Sequence, residues 1–179
     1  MYSMEHKCSQ DKVFKIFVES PLKIHYIKEI SRKISLAPTS VKNHLQNLER
    51  KKLIFRTKGE RFFGFLANRD NQDFLFYKKI ANIINIKESG LLDFLINSIY
   101  PQAIVLYGSY FRGEDVESSD IDLLILTKNK KQIDVEKFEK ILKRNIHIIV
   151  KKDLKKLPKS LCEEIINVLV LYGMFKNES

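Results

Sequence analysis

Residues 103–127 read AIVLYGSYFRGEDVESSDIDLLILT, and this stretch constrains the fold more than any other. An apolar run ends in Gly108-Ser109. A polar segment follows, and Asp120-Ile121-Asp122 opens a second apolar run. Short apolar runs bounded by turn residues read as buried strands. Carboxylates at the entrance of a buried strand are costly unless something offsets their charge. What offsets them is the main clue to function.

A strand ending in Gly-Ser at a helix start has the form of a phosphate site. Glycine lets a phosphate approach the backbone, and free N–H groups at a helix start attract anions. Ser109 adds a hydroxyl. Gly-Ser is also a common turn, so the spacing carries the argument. Ten residues separate Ser109 from Asp120, and Asp122 follows at i+2. On a strand, residues i and i+2 face the same way, about 6.6 Å apart at ~3.3 Å per residue. Two such carboxylates suit a shared metal. Mg2+ accepts one or two carboxylates and completes its shell with phosphate oxygens and water. A metal pair ~4 Å apart can hold both the attacking and the leaving oxygen of a phosphoryl transfer.

The surroundings read as α/β. Strands are expected at 103–107, 121–126 and 145–150, and helices at 91–100, 133–144 and 161–175. A short helical turn begins at Ser109, which Gly113 can end.

The first third of the chain differs. Helices are expected at 11–19, 25–34 and from Pro38 to about Arg50, with Val13, Ile16, Phe17, Ile27, Ile30, Ile34, Val41, Leu45 and Leu48 inward. Pro38 occupies a favoured first helical position. Two β-rich runs around Lys58-Gly59-Glu60 read as a hairpin. Residues 68–87 have helical period through Phe74, Tyr77, Ile80, Ala81 and Ile84. Charge follows the same division. Residues 1–70 carry 15 Lys and Arg against 7 Asp and Glu, whereas residues 71–179 carry 17 against 15. The net charge of +10 thus resides mainly in the first part, as expected of a module that meets nucleic acid.

Three helices and a basic hairpin resemble a winged helix-turn-helix domain, with LAPTSVKNHLQNLERKKLI similar to its recognition helix. A helix of this size fits the major groove, where Ser and Asn side chains can bond base edges. Ser40, Asn43 and Asn47 are the candidates for reading bases. Lys42, Arg50, Arg56, Lys58 and Arg61 are those for holding phosphates. Double-stranded DNA is the expected partner. A protein-docking module with a solvated basic face is the bland alternative.

The stretch YGSYFRGEDVESSDIDLLIL resembles the minimal nucleotidyltransferases of the DNA polymerase beta-like superfamily. The resemblance implies Gly108 and Ser109 on the phosphates of an NTP and Asp120 and Asp122 on Mg2+. It also implies transfer of a nucleoside monophosphate to a hydroxyl with release of pyrophosphate. Active members add a third carboxylate from the next strand, which here reads NIHIIV. His147 stands at the expected position. Histidine is a poor Mg2+ ligand but can serve as a general base near neutral pH. Asp153 lies beyond that strand, as a weaker substitute.

The expected architecture is α+β in two domains. Residues 1–67 form the winged helix, 68–89 a connecting helix, and 90–179 a nucleotidyltransferase domain with a small mixed sheet. Three functions fit: a DNA-binding transcriptional regulator carrying a nucleotidyltransferase domain, a catalytically inactive nucleotide-sensing regulator, and an antitoxin-type AMP transferase acting on a partner RNase. A homodimer and a partner protein are both compatible with these readings.

Composition excludes other classes. At 44% hydrophobic and 30% charged, the chain reads as globular, without a signal peptide or an apolar run of the ~20 residues that span a bilayer. A cytoplasmic location is expected. Cys8 and Cys162 have no metal or disulfide spacing and read as two free thiols, and His6, His25 and His44 are scattered and read as structural or surface residues.

Overall fold

Apolar residues at helical spacing produce the first three elements: α1 (Ser9–Glu19), α2 (Ile27–Ile34) and α3 (Pro38–Arg50). The computed structural model describes residues 9–129, 131–153 and 168–174. These fall into two compact units, Met1–Lys78 and Lys79–Ser179.

In the first unit, Val13, Ile16 and Phe17 of α1, Ile30 of α2 and Val41, Leu45 and Leu48 of α3 share one core. The hairpin β1 (Ile54–Lys58) and β2 (Phe63–Ala67) is antiparallel, with Ile54 opposite Ala67 and Lys58 opposite Phe63. Helix α2 starts two residues later than its spacing predicts. His25 is held instead in a bridge to β2, where its N–H donates to Phe65 O at 2.8 Å and its carbonyl accepts from Phe65 N–H at 2.9 Å. Two backbone bonds to a neighbouring strand outweigh two further residues of helix.

The His25 ring is buried edge-on against Phe17, with ring centroids 5.0 Å apart. Its Nε2–H donates to the Ser20 carbonyl at 3.0 Å. Burial lowers its pKa below 6.5, opposed by the Ser20 bond and by Glu29. Below pH 6.5 the unfolded chain therefore binds a proton that the folded chain resists. Stability is full above that value and is lost as pH falls through the lowered folded-state pKa, by at most ~1.4 kcal/mol per pH unit. Urea titrations from pH 7.5 to 5 should show this loss in the wild-type chain and a flatter profile in His25→Gln.

Helix α4 (Gln72–Glu88) buries a different stripe from the one expected. Tyr77 and Ile80 are exposed, and the buried positions are Phe74, Lys78, Asn82 and Ile86, each four residues apart. Phe74 and Lys78 belong to the first unit, Asn82 and Ile86 to the second. Lys78 Nζ donates to the Val18 carbonyl at 2.7 Å, in the last turn of α1. A cation there is favoured by the helix dipole. Partnered polar groups can be buried, and a hydrophobic pattern does not register them.

The second unit contains α5 (Leu91–Ile99), β3 (Ala103–Tyr107), α6 (Gly108–Arg112), β4 (Ile121–Leu126), α7 (Glu136–Leu142), β5 (Ile146–Lys151) and β6 (Leu169–Gly173). Helix α7 is shorter than the predicted 133–144. The Asp134 carboxylate accepts the Glu136 N–H at 3.0 Å, and Lys143 takes a left-handed conformation at the other end.

The mixed sheet has the order β5-β4-β3-β6. Strand β3 is antiparallel to β4 and β6, and β4 is parallel to β5. Alternation divides its side chains. Ile104, Leu106, Ile121, Leu123 and Ile125 join α5, α6 and α7 in the larger core. Ala103, Val105, Tyr107, Leu124 and Leu126 line the other face.

The closing helix expected at 161–175 lies partly outside the described residues. Where it overlaps them, residues 169–173 form strand β6. A short apolar run such as Val168-Leu169-Val170-Leu171 suits either element by pattern, and the free edge of β3 decides for a strand.

Candidate functional site

Strand register brings the candidate residues of the second unit to one end of its sheet. Tyr107 pairs with Asp122, so Gly108 follows directly beside that carboxylate. Asp122 also pairs with His147 across the parallel β4–β5 ladder. His147 Nδ1 lies 3.3 Å from Asp122 Oδ1. Asp120 precedes β4 and is exposed; its Oδ1 accepts from Asn145 Nδ2 at 3.1 Å. Asp122 and His147 thus meet, with the Gly108-Ser109 turn adjoining Asp122, while Asp120 lies two residues before Asp122 and bonds Asn145. Asp153 is exposed beyond the far end of β5, six residues from His147.

Gly108 has φ +73, a left-handed conformation that a side chain disfavours. A Cβ there would collide with Oδ2 of Asp122 and stand 3.2 Å from its Cγ. The backbone and the carboxylate therefore share a space that only glycine leaves open. Helix α6 follows, and the Ser109 carbonyl accepts the N–H groups of Gly113 and Glu114, the latter at 3.0 Å.

Several polar residues of the site escape a reading of the sequence. Asn145 shows no signal beyond its place before β5. Asp115, within a segment that reads as an acidic polar loop, is 0% exposed. Its Oδ1 accepts from Asn82 Nδ2 at 2.7 Å, and its Oδ2 lies 3.8 Å from a guanidinium nitrogen of Arg144. Burial first, and then the Asp115 charge, push the Tyr110 phenol up to about 12, opposed by a hydrogen bond from Asn85 and by Arg144. The phenol is therefore neutral at physiological pH. A cleft of about 370 Å³ has Asp120 and Asn145 in its lining together with Lys140, Lys143 and Arg144.

Among the described residues, no group of three or more His, Cys, Asp and Glu side chains is disposed to hold a metal ion by itself. Asp120 and Asp122 offer hard oxygen donors in the number that Mg2+ takes from a protein when phosphate and water supply the rest.

The residues singled out in the first unit occupy two elements. Ser40, Lys42, Asn43, Asn47 and Arg50 lie on α3, with Ser40, Asn43 and Asn47 at i, i+3 and i+7. Lys42, Asn43 and Arg50 are exposed, and the Arg50 guanidinium donates to Asn47 Oδ1. Arg56 and Lys58 lie on β1, and Arg61 falls between the strands; all three are exposed. Arg56 stacks over the Phe63 ring at 4.8 Å.

No helix among the described residues is long and apolar enough to cross a membrane. Comparison with curated proteins and with solved structures yields no match. Residues 90–173 match the family described as Polymerase beta, Nucleotidyltransferase. That span runs from the residue before α5 to the last residue of β6 and takes in every strand of the mixed sheet. Residues 90–173 of this chain are therefore similar to the nucleotidyltransferase superfamily.

Proposed function

We propose that the second unit binds a nucleoside triphosphate with Mg2+ and transfers its nucleoside monophosphate to a hydroxyl acceptor. We further propose that the first unit is a winged helix-turn-helix that binds double-stranded DNA, so that the whole protein acts as a regulator. The observation that carries the first part is the meeting of Gly108, Asp122 and His147 at one sheet end, inside the matched segment.

Gly108 and Ser109 cradle the phosphates, and Asp120 and Asp122 would hold Mg2+. The bound metal would neutralise phosphate charge and favour departure of pyrophosphate. His147 supplies the proton acceptor. Its Nδ1–H faces Asp122 at 3.3 Å, an arrangement that orients the ring and leaves Nε2 to accept a proton. The acceptor hydroxyl attacks the α-phosphorus and loses its proton to Nε2. The new O–P bond forms as the bond between the α-phosphorus and the bridging oxygen breaks, and pyrophosphate leaves. Incubation with α-labelled NTP tests this directly. Label in an acceptor with matching pyrophosphate release supports transfer. Mg2+-dependent binding without pyrophosphate release makes the unit a nucleotide sensor, the reading that a histidine in place of a third carboxylate favours.

The DNA reading rests on the exposed cations of α3 and the hairpin. Binding of a short duplex should weaken with salt, because each neutralised phosphate releases counterions. Replacing Lys42 and Arg56 with Gln should lower the slope of log K against log salt by about 0.9 for each phosphate that is no longer neutralised. Absence of duplex binding at low salt would make the unit a protein-docking module instead.

A further inference from the structure

Asn82 precedes the segment that matches the nucleotidyltransferase family, yet it is buried in the same unit, 2% exposed. Its side-chain amide carries two N–H groups, and Nδ2 donates to two acceptors. One is the Tyr110 carbonyl in α6, at 2.8 Å. The other is Asp115 Oδ1, at 2.7 Å. Helix α6 begins with Gly108 and Ser109. The loop carrying Asp115 runs on to Asp120. One amide thus joins the element bearing the phosphate candidates to the loop bearing the first carboxylate.

The connection continues on the other side of Asp115. Its second oxygen faces the Arg144 guanidinium at 3.8 Å. The next residue, Asn145, donates to Asp120 Oδ1 at 3.1 Å. Within the loop, Ser119 Oγ accepts the Val116 N–H at 3.0 Å, and the Ser119 N–H donates to the Val116 carbonyl at 3.0 Å. Asp115 therefore lies between two paths, one to α6 through Asn82 and one to Asp120 through Arg144 and Asn145.

We infer that Asn82 is a positioning residue that holds α6, which begins with the Gly108-Ser109 turn, at its distance from the loop that carries Asp120. A phosphate chain seated on the turn and a metal seated on the carboxylates must meet, so that separation controls how strongly the two bind together. Asn82 touches neither ligand. It acts through Tyr110 and Asp115, and its effect falls on their coupling rather than on the affinity for phosphate alone. This inference rests on the nucleotide–Mg2+ reading of the site.

The test is calorimetric titration of the full chain with a non-hydrolysable NTP analogue, with and without Mg2+. Coupling of two ligands is the ratio of the two affinities. Asn82→Leu, with the same branching and number of heavy atoms but without donors, should keep the Mg2+-free affinity and reduce the gain from Mg2+ about tenfold. Asn82→Gln keeps both N–H groups one methylene further out; it should fold and lose a smaller part of the gain. Asn85→Ala is the structural control, because Asn85 bonds the Tyr110 phenol from the same helix. It should lower the unfolding midpoint and leave the gain unchanged. A wild-type gain retained in both Asn82 variants, or lost equally in Asn85→Ala, overturns the role of Asn82. A wild-type chain that gains nothing from Mg2+ overturns the nucleotide–Mg2+ reading, and the role of Asn82 with it.

Discussion

Asp120→Asn combined with Asp122→Asn should abolish the gain in NTP affinity expected from Mg2+ in the wild-type chain. Wild-type coupling is expected at ~1–3 kcal/mol, or about 5–150-fold, the usual range for two linked ligands. The double substitution should bring it close to onefold. Asparagine keeps the volume of aspartate and an oxygen able to accept from Asn145, so the bond at Asp120 Oδ1 can persist. The Asp122 position likewise keeps an oxygen toward His147. What disappears is the pair of negative charges that a hard divalent cation requires. Calorimetry with and without Mg2+ checks this, and an undiminished gain would remove the carboxylates from the site.

Gly108→Ala should have a comparable effect by a steric route. The left-handed backbone alone costs a non-glycine residue ~1–2 kcal/mol. The added Cβ also meets the end of the Asp122 side chain. A carboxylate can rotate more readily than a strand can move, so Asp122 leaves its place and the fold survives. Nucleotide binding in the presence of Mg2+ should fall at least about tenfold. Gly90→Ala provides the comparison, because Gly90 has φ +78 with nothing within 4 Å of an added Cβ. That substitution should reproduce the loss of stability, read from thermal unfolding, without the loss of binding. Equal binding defects in both variants would show that backbone strain, and not the clash with Asp122, is responsible.

Much of the fold is legible from residue pattern. Strands β3 and β4 coincide with the expected 103–107 and 121–126 because both runs are apolar nearly throughout and end at turn residues. Pro38 marks the start of α3, and Gly113 closes α6 at φ 74. Pattern and structure part where the pattern is ambiguous or polar residues are buried. The run at 168–171 suits a helix or a strand, and pairing with β3 makes it a strand. In α4 the apolar period points to Tyr77 and Ile80, whereas tertiary partners bury Lys78 and Asn82. The helical pattern of α2 begins at His25, but the backbone of that residue bonds to β2 instead.

The sequence by itself determined the kinds of group in the second unit and their spacing: glycine and serine after one apolar run, and two carboxylates at the start of another. Those facts are local, and local chemistry is what a sequence displays. Only the tertiary structure decided that Gly108 and Asp122 are neighbours and that His147 stands beside the same carboxylate. It also decided that Asn82, 26 residues ahead of Gly108, bonds both α6 and Asp115. Strand register and buried hydrogen bonds join residues distant along the chain, and they form only when the rest of the unit packs around them.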